Sequence, residues 1–535
     1  MNDYSLLMLI APVSFLLASL VGIFQQGSRA ALLERVLNVA SLLGILVAMI
    51  GGVLAYQWGS LESTLLGYKG LGFSVRLDPL SAVILAMIAL LAAIIVRFSK
   101  NYLDGDTRKG LFLSRLAYTV AAVEMLVLAG NLALLVLAWI STSLALHQLL
   151  VFYSERRGAI IAARKKFIAA RVGDVCLIAA ASLLYFEFST GQLGAIFASL
   201  QSSLDAGRNV SGKVEFSAAL IAVAAILKSA QFPTHGWLVE VMETPTPVSA
   251  LLHAGILNAG PFLVIRLSHV IESSAAAPIL LVLFGGFTAL FASVVLLTQP
   301  SIKVALGYSS AAHMGFMLLV TGLGVYPAVI LHLVAHSFYK AHAFLSSGSV
   351  VDQHRASRVT VPGRLGSPLR ILFSLLVAMA IYTGFAHLWG VDVLEKPALA
   401  AIGAILVLGL AQIIAPAMDS SGPIVGTLQA SALAIMVALA FFSLESGAHL
   451  ILHSVLPAQA NPSDLTLMLA GAVLLTFSLA VILQIVGPTL TPGPFSRKLA
   501  IHLRNGFYAN ALFDRLVGAL HIPATVQAKS GQGRA

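Results

Sequence analysis

The sequence predicts an all-α polytopic membrane protein of about 14–15 transmembrane helices, with two inverted repeats and broken helices. Three observations carry the membrane fold and the number of spans; there is no strict sequence repeat, and the repeats and breaks rest on the two lysine-bearing segments near 226–233 and 336–342. Of 535 residues 59% are apolar and only 10% charged, far from the balance of a soluble domain. Mean hydropathy is +0.93. The apolar residues fall in runs of roughly 20, the length that crosses a hydrocarbon core, separated by short polar connectors. A water-soluble globule is excluded, and almost no sequence remains for an extramembrane catalytic head.

In order, the apolar runs lie near residues 5–23, 36–56, 78–97, 111–129, 132–153, 167–186, 216–231, 248–267, 278–297, 303–322, 326–350, 369–389, 398–416, 424–443 and 466–487. Met1 to Ile23 lacks a basic leading region and reads as a first span rather than a cleaved signal. The longest polar connectors, Glu187 to Glu215 and Val351 to Pro368, carry the Gly, Ser, Asp and Arg of solvated loops. From Pro494 onward an amphipathic helix, Phe495 to Leu520, is expected along the cytoplasmic face. The expected division is 1–110, N-terminal helices; 111–270, first repeat; 271–420, second repeat; 421–490, C-terminal helices; 491–535, cytoplasmic tail.

Lys and Arg number 32 against 22 Asp and Glu, so the net charge is 32 − 22 = +10. Nucleic acid is not needed to explain it. The basic groups Arg29 and Arg35, Arg97 to Arg115, Arg156 to Lys166, Arg355 to Arg370 and Arg497 to Arg504 fall in alternate loops, the positive-inside pattern. The N-terminus is thereby placed outside, the basic loops and tail in the cytoplasm, and fifteen spans fit best. Cys176 is the only cysteine, which excludes an internal disulfide and any thiolate metal or iron–sulfur site.

Each charge at membrane depth needs a reason, because one at the bilayer centre costs at least ~2.5–3.5 kcal/mol on insertion scales. Lys228, Glu124, Lys340 and His253 are such residues. Two apolar segments carry a mid-run Lys with helix-disturbing neighbours, Ile226 to Pro233 around Lys228 and His336 to His342 around Lys340. Paired interrupted helices are how inverted-repeat transporters place polar backbone at depth. His332, His336 and Lys340 are spaced i, i+4, i+8, which makes one stripe ~12 Å long that drifts only ~80°. Such a stripe can pass protons; interhelical hydrogen bonding is the alternative. Glu124 and Lys228 would compensate each other if adjacent. Arg171 and Asp174, at i, i+3, read as a local pair. Asp78, His147 and His313 are lesser relay candidates, and Lys303 suits a lysine reaching the interface. His332 and His336 have zinc-helix spacing, but the segment lacks the glutamate of the protease motif and has no Cys partner, so no metal site is expected.

These residues make the chain resemble the antiporter-like, proton-conducting subunits of respiratory complex I and of multisubunit cation/proton antiporters. The resemblance runs over about residues 70–355. It is carried by Arg76-Leu77-Asp78, Lys166-Phe167 to Val175, Leu227-Lys228-Ser229-Ala230-Gln231-Phe232-Pro233, Thr244-Pro245-Thr246-Pro247-Val248-Ser249-Ala250-Leu251-Leu252-His253-Ala254, Ser301-Ile302-Lys303 through Ser309, and His332, His336, Phe338, Lys340 and Ser347-Gly348-Ser349. It implies a multi-pass protein of the cell inner membrane in which Lys228, His253 and Lys340 belong to a hydrated proton path.

Two departures stand out. The family's intramembrane glutamate follows a tryptophan, but here Trp139 is followed by Ile140. If the fourth and fifth spans form a hairpin at Gly130-Asn131, Glu124 lies within roughly 5 Å of that depth and is expected to supply the charge from the neighbouring helix. Beyond about residue 355 the match fades. The next family lysine has no clear equivalent, since Lys396 stands between Glu395 and Pro397 in what reads as a loop, and the long lateral helix is missing. With these departures the chain looks most like DabB-type membrane subunits of two-component inorganic-carbon accumulating complexes. That resemblance implies a large soluble DabA-type zinc protein as partner on the cytoplasmic face, no cofactor in this chain, and proton or cation flow driving CO2 hydration to bicarbonate in the partner. The alternatives are a proton-pumping subunit of complex I and a cation/proton antiporter subunit; a self-contained enzyme has no nucleophile, cofactor loop or metal cluster to support it.

Overall fold

The computed structural model describes residues 3–207, 209–348, 367–391, 397–457, 462–486 and 493–517. After a 3-10 turn, Tyr4–Leu9, helices α1 (Ile10–Phe24), α2 (Ala31–Trp58), α3 (Pro79–Tyr102), α4 (Lys109–Val127), α5 (Leu132–Leu150) and α6 (Arg157–Phe188) run antiparallel. A short α7 (Leu193–Asp205) follows, then α8 (Gly212–Lys228), α9 (Gly236–Glu240), α10 (Thr246–Ala254), α11 (Ala259–Arg266) and α12 (Ser268–Glu272). Helices α13 (Ala276–Leu296), α14 (Ile302–Gly322) and α15 (Tyr326–Leu345) complete the core. Four more, α16 (Pro368–Leu388), α17 (Pro397–Met418), α18 (Ile424–Leu452) and α19 (Asp464–Val486), flank it, and α20 (Pro494–Arg504) and α21 (Ala509–Leu516) form the tail. Between α2 and α3 two small antiparallel ladders pair Leu61–Glu62 with Arg76–Leu77 and Leu66–Tyr68 with Leu71–Phe73.

Thirteen described helices are long and apolar enough to cross a membrane, and each overlaps a run read from the sequence. The two remaining predicted runs are α8 and α15, the helices that carry Lys228 and Lys340. The fold is all-α and polytopic, as expected. Helix α18 is apolar along its length yet buries only Ala434, Ala438, Phe442 and Leu452, which is the signature of a helix facing lipid tails.

Three expectations need correction. The interruption expected around Lys340 is not there, for α15 runs unbroken from Tyr326 to Leu345. The second interruption lies in the eighth span, where Gly255 and the turn Ile256–Asn258 separate α10 from α11. The connector from Glu187 to Glu215 is partly helical, as α7. The tail is two helices rather than one, because Phe507 and Tyr508 adopt left-handed backbone angles at the Gly506 kink; residues 518–520 lie outside the described residues, as do Lys396 and most of the Val351–Pro368 connector.

Helices α13 and α14 pack closely backbone to backbone. A Cβ at Gly315 would stand 2.6 Å from both the Gly285 carbonyl oxygen and the Ala289 nitrogen. Gly315→Val is therefore expected to force the pair apart at a cost of about 1–3 kcal/mol, seen as a lower melting temperature of the solubilised complex.

Charged connectors sort to two ends. At one end Lys109 pairs with Glu34 at 2.9 Å, Tyr153 donates to Asp106 at 2.8 Å, and Arg156 donates to the Glu243 carbonyl. The tail packs at this same end, with the Gln299 amide donating to the Arg504 carbonyl at 3.1 Å. At the other end Asp78 caps α3 by accepting from the Ser81 N–H at 2.8 Å. Its carboxylate also receives Arg76 at 2.7 Å and Arg266 at 2.5 Å.

Candidate functional site

Helix α8 ends at Lys228 for a local reason. Pro233 has no N–H and restricts Phe232, and Ala230 takes a left-handed turn. The chain resumes as helix only at Gly236, held by the Phe232 N–H donating to Thr288 Oγ1 at 3.1 Å. Lys228 is thus in the last turn of a half-helix, where the aligned carbonyls favour a cation.

Its ammonium donates to the Trp139 carbonyl at 3.3 Å and to Thr142 Oγ1 at 3.4 Å, and lies 4.2 Å from the centre of the Trp139 ring. That is cation–π range. One turn along α5, Ser143 serves a second cation: Lys166 donates to its carbonyl at 2.5 Å and to its hydroxyl at 2.9 Å. Arg171 donates to the same hydroxyl at 3.2 Å and forms an ion pair with Asp174 Oδ2 at 2.6 Å. Asp174 is the carboxylate within electrostatic reach of Lys228. The predicted local pair exists, but it belongs to this larger cluster of three cations around one carboxylate. Lys166 was not singled out by sequence; it sits next to Lys165 at the loop end of α6, and adjacent helical residues point apart.

Glu124 and Lys228, which would compensate each other if adjacent, are not paired. Glu124 is fully buried on α4, and its Oε1 lies 3.8 Å from where a Cβ of Gly44 on α2 would stand. Neither oxygen has a hydrogen-bond partner among the described residues. The hairpin estimate concerned depth alone, and the side chain turns toward the N-terminal helices instead of α8.

The second cluster is built on α14 and α15. Lys340 donates to Ser309 Oγ at 2.7 Å and to the Leu306 carbonyl at 3.4 Å. His313 reaches from α14 between two histidines of the α15 stripe. Its Nδ1 is 2.9 Å from His332 Nε2, and its ring centre is 5.0 Å from that of His336. His253 stacks on Phe344 at 4.3 Å, within electrostatic reach of Lys340. His253 and His336 are buried, with no hydrogen-bond partner on either ring nitrogen among the described residues. The predicted stripe of His332, His336 and Lys340 is therefore joined by His313 and flanked by His253.

Between the clusters lies the break of α10 and α11. Asn258 donates to the Ala254 carbonyl at 3.0 Å and to Ser337 Oγ at 2.8 Å, and Ser337 precedes Phe338 one residue after His336. A void of about 20 Å³ lies between α3, α4, α5 and this break, with Thr142 and Asn258 as the polar residues of an otherwise apolar lining. It has the volume of about one water. Asn258 was missed by sequence, although an Asn three residues after a Gly inside an apolar run is the signal of an interrupted span.

The remaining predicted residues have placements of their own. Pro233 makes the break of α8. Lys303 sits in the first turn of α14. Asp78 is at the opposite end of the bundle from the tail, bound to Arg76 and Arg266, and belongs to neither cluster. His147 lies against Phe167, with ring centres 5.2 Å apart. Among the described residues no three His, Cys, Asp or Glu side chains form a metal-ligand group.

Residues 129–386 match the transmembrane family described as NADH:quinone oxidoreductase/Mrp antiporter, and residues 66–113 match the N-terminus of complex I chain 5. The probable inorganic carbon transporter subunit DabB2 of Halothiobacillus neapolitanus is 35% identical over 532 residues, spanning 96% of this chain and 93% of that protein. The chain belongs to the antiporter-like membrane-subunit family that includes the DabB proteins. Within the family, the probable inorganic carbon transporter subunit DabB of Hydrogenovibrio crunogenus is 38% identical over 66% of each chain. NAD(P)H-quinone oxidoreductase chain 5 of Synechocystis is 31% identical, over 65% of this chain and 53% of its own. The fold is shared with a chain of the membrane-bound sulfane sulfur reductase, an archaeal respiratory membrane complex, at a TM-score of 0.58 and 16% identity over 97% of this chain and all of the other. It is shared with a chain of the Mrp complex of Dietzia at a TM-score of 0.55 and 22% identity, and this chain spans 59% of that one. The family is one of proton-conducting, antiporter-like subunits of multi-subunit membrane complexes.

Proposed function

We propose that this chain conducts protons through the membrane between the Lys228 and Lys340 clusters and couples that flow to inorganic carbon uptake. The observation that carries the reading is the pair of buried lysine clusters with polar side chains at the helix break between them. Lys228 donates to Thr142 on one side and Asn258 donates to Ser337 on the other, and Thr142 and Asn258 both line the small, largely apolar void between α5 and the α10–α11 break. His336, His313, His332, His253 and Lys340 follow. Imidazoles both donate and accept, so the cluster can relay a proton once water links His336 and His253, which have no direct hydrogen-bond partner among the described residues. Glu124 is a separate buried proton site among the N-terminal helices in this reading.

The carbon substrate comes from the relatives named as probable inorganic carbon transporter subunits, one of them matched along 93% of its length. The partner is a large soluble DabA-type protein whose zinc hydrates CO2 to bicarbonate; this chain holds no cofactor and is not catalytic alone. The membrane is the inner one, and the end bearing the basic connectors and the tail helices faces the cytoplasm, as the positive-inside bias directs. Affinity purification of the tagged chain is expected to bring down one large zinc protein. A set of redox subunits would replace this reading by the complex I one, which quinone oxidoreductase relatives at 31–33% identity support over about half of their own lengths.

Uptake of labelled inorganic carbon is expected to collapse with a protonophore. Asn258→Leu, which fills the void and removes its amide, is expected to lower uptake about tenfold, or ~1.4 kcal/mol in the rate barrier, with normal protein levels in the membrane. Uptake indifferent to both would refute proton conduction along this line.

A further inference from the structure

At the end opposite the tail, α12, the start of α15 and the start of α19 enclose a pocket of about 280 Å³. Its polar lining includes Glu272, Ser273, Ser274, Thr321, Tyr326 and Ser463. Glu272 and Tyr326 are its titratable members. Glu272 Oε1 is buried, without a hydrogen-bond partner among the described residues, and faces Gly324, 3.6 Å from where a Cβ would stand. The Tyr326 phenol is buried within electrostatic reach of that carboxylate. The pocket has room for several waters.

Tyr326 begins the helix that carries the histidine stripe. His332 lies six residues along it, about 9 Å on the helix axis and about 120° around it, with the buried Val329 and Ile330 between, a gap that hydration has to bridge. The other charged and titratable side chains near this end have contacts of their own: Asp78 holds Arg76 and Arg266, and His269 on α12 stacks on Phe197 at 4.7 Å. The described residues of α16 carry Arg370 and His387, and the structure pairs neither with the stripe. We propose that the Glu272–Tyr326 pocket is the outer mouth of the proton path, where the Glu272 carboxylate exchanges protons with bulk water. The step is a proton transfer between a water and a Glu272 oxygen; no other bond forms or breaks. Burial pushes the Glu272 carboxyl up to about 7, so it can be loaded and unloaded near neutral pH. The inference rests on the proton-path reading given above.

The test uses the whole complex in intact cells and in sealed membranes. Glu272→Gln is expected to lower protonophore-sensitive uptake at least tenfold, and Glu272→Asp to retain most of it. In wild-type membranes, carbodiimide labelling of Glu272, read by peptide mass spectrometry, is expected to rise as external pH falls through about 7, since the protonated carboxyl reacts. Full uptake by Glu272→Gln, in cells where Lys228→Ala abolishes it, overturns the mouth and leaves the path intact. If Lys228→Ala has no effect either, the path itself is refuted. Should Glu272→Gln fail to reach the membrane, the wild-type labelling decides: no change between about pH 6 and 8 overturns the proposal.

Discussion

Lys228→Arg is expected to stop inorganic carbon uptake as completely as Lys228→Ala. An arginine keeps the positive charge and its contacts to the Trp139 carbonyl and ring, but it does not give up a proton in a protein. A lysine that served only to fill a charge requirement beside Asp174 would be rescued by arginine; a lysine that carries the proton would not. The same experiment separates its two acidic candidates. Asp174→Asn removes the carboxylate that stands among Lys228, Lys166 and Arg171 and is expected to cost at least tenfold in uptake. In a double-mutant cycle it couples to Lys228, because residues in one network are not additive. Glu124→Gln combined with a Lys228 variant is expected to be additive, since Glu124 faces Gly44 and α2. Coupling between Glu124 and Lys228, with none at Asp174, would invert the assignment.

Asp78→Ala is expected to be the most destabilising single change outside the path. The carboxylate is 1% exposed and holds two guanidinium groups, from Arg76 and from Arg266 on the distant α11. Removing it leaves Arg266 buried without its ion pair, a situation that costs about 3–5 kcal/mol, and deletes the cap of α3, worth about 1 kcal/mol more. Asp78→Asn keeps the cap and is expected to fall between. Thermal unfolding of the solubilised complex measures both. Burial alone would raise the Asp78 pKa, but Arg266 and Arg76 overcome it and hold the carboxyl well below the usual range. A depressed folded pKa means the stabilisation is complete above the ordinary carboxylate range and is lost only as pH falls toward the folded value. Between pH 5 and 8 the wild-type minus Asp78→Ala difference is therefore expected to stay level, and a steep change there would contradict the geometry.

The spans were legible because lipid imposes a length and a composition on every crossing helix, so all fifteen apolar runs find a helix. Depth was legible for the same reason: Lys228, Lys340 and the histidines are buried where an uncompensated polar residue had to have a purpose. Direction was not. Glu124 and Asp174 lie in helices two apart in sequence order, and nothing local says which way a carboxylate turns about its helix. Arg171 and Asp174 looked self-contained because their spacing already satisfies a pair, which hid their part in the Lys228 cluster. The break at Gly255 to Asn258 was overlooked because a lysine with a proline nearby is a louder signal than a glycine and an asparagine. His313 gained its place only through tertiary packing, between two histidines from another helix.

The tail carries a consequence for how the molecule is made. Lys165 is fully buried and is paired with Glu240 at 2.6 Å, with Asp514, and with Asn510 at 2.9 Å. Asn510 is 345 residues later in the chain, and it also donates to Glu240. During synthesis Lys165 enters the bilayer region long before these partners exist. Only when residues 509–516 emerge can that end of the bundle reach its final charge balance. The last described helix thus completes a charge balance that Glu240 alone leaves half made, and it ties the end of the chain to the start of α6.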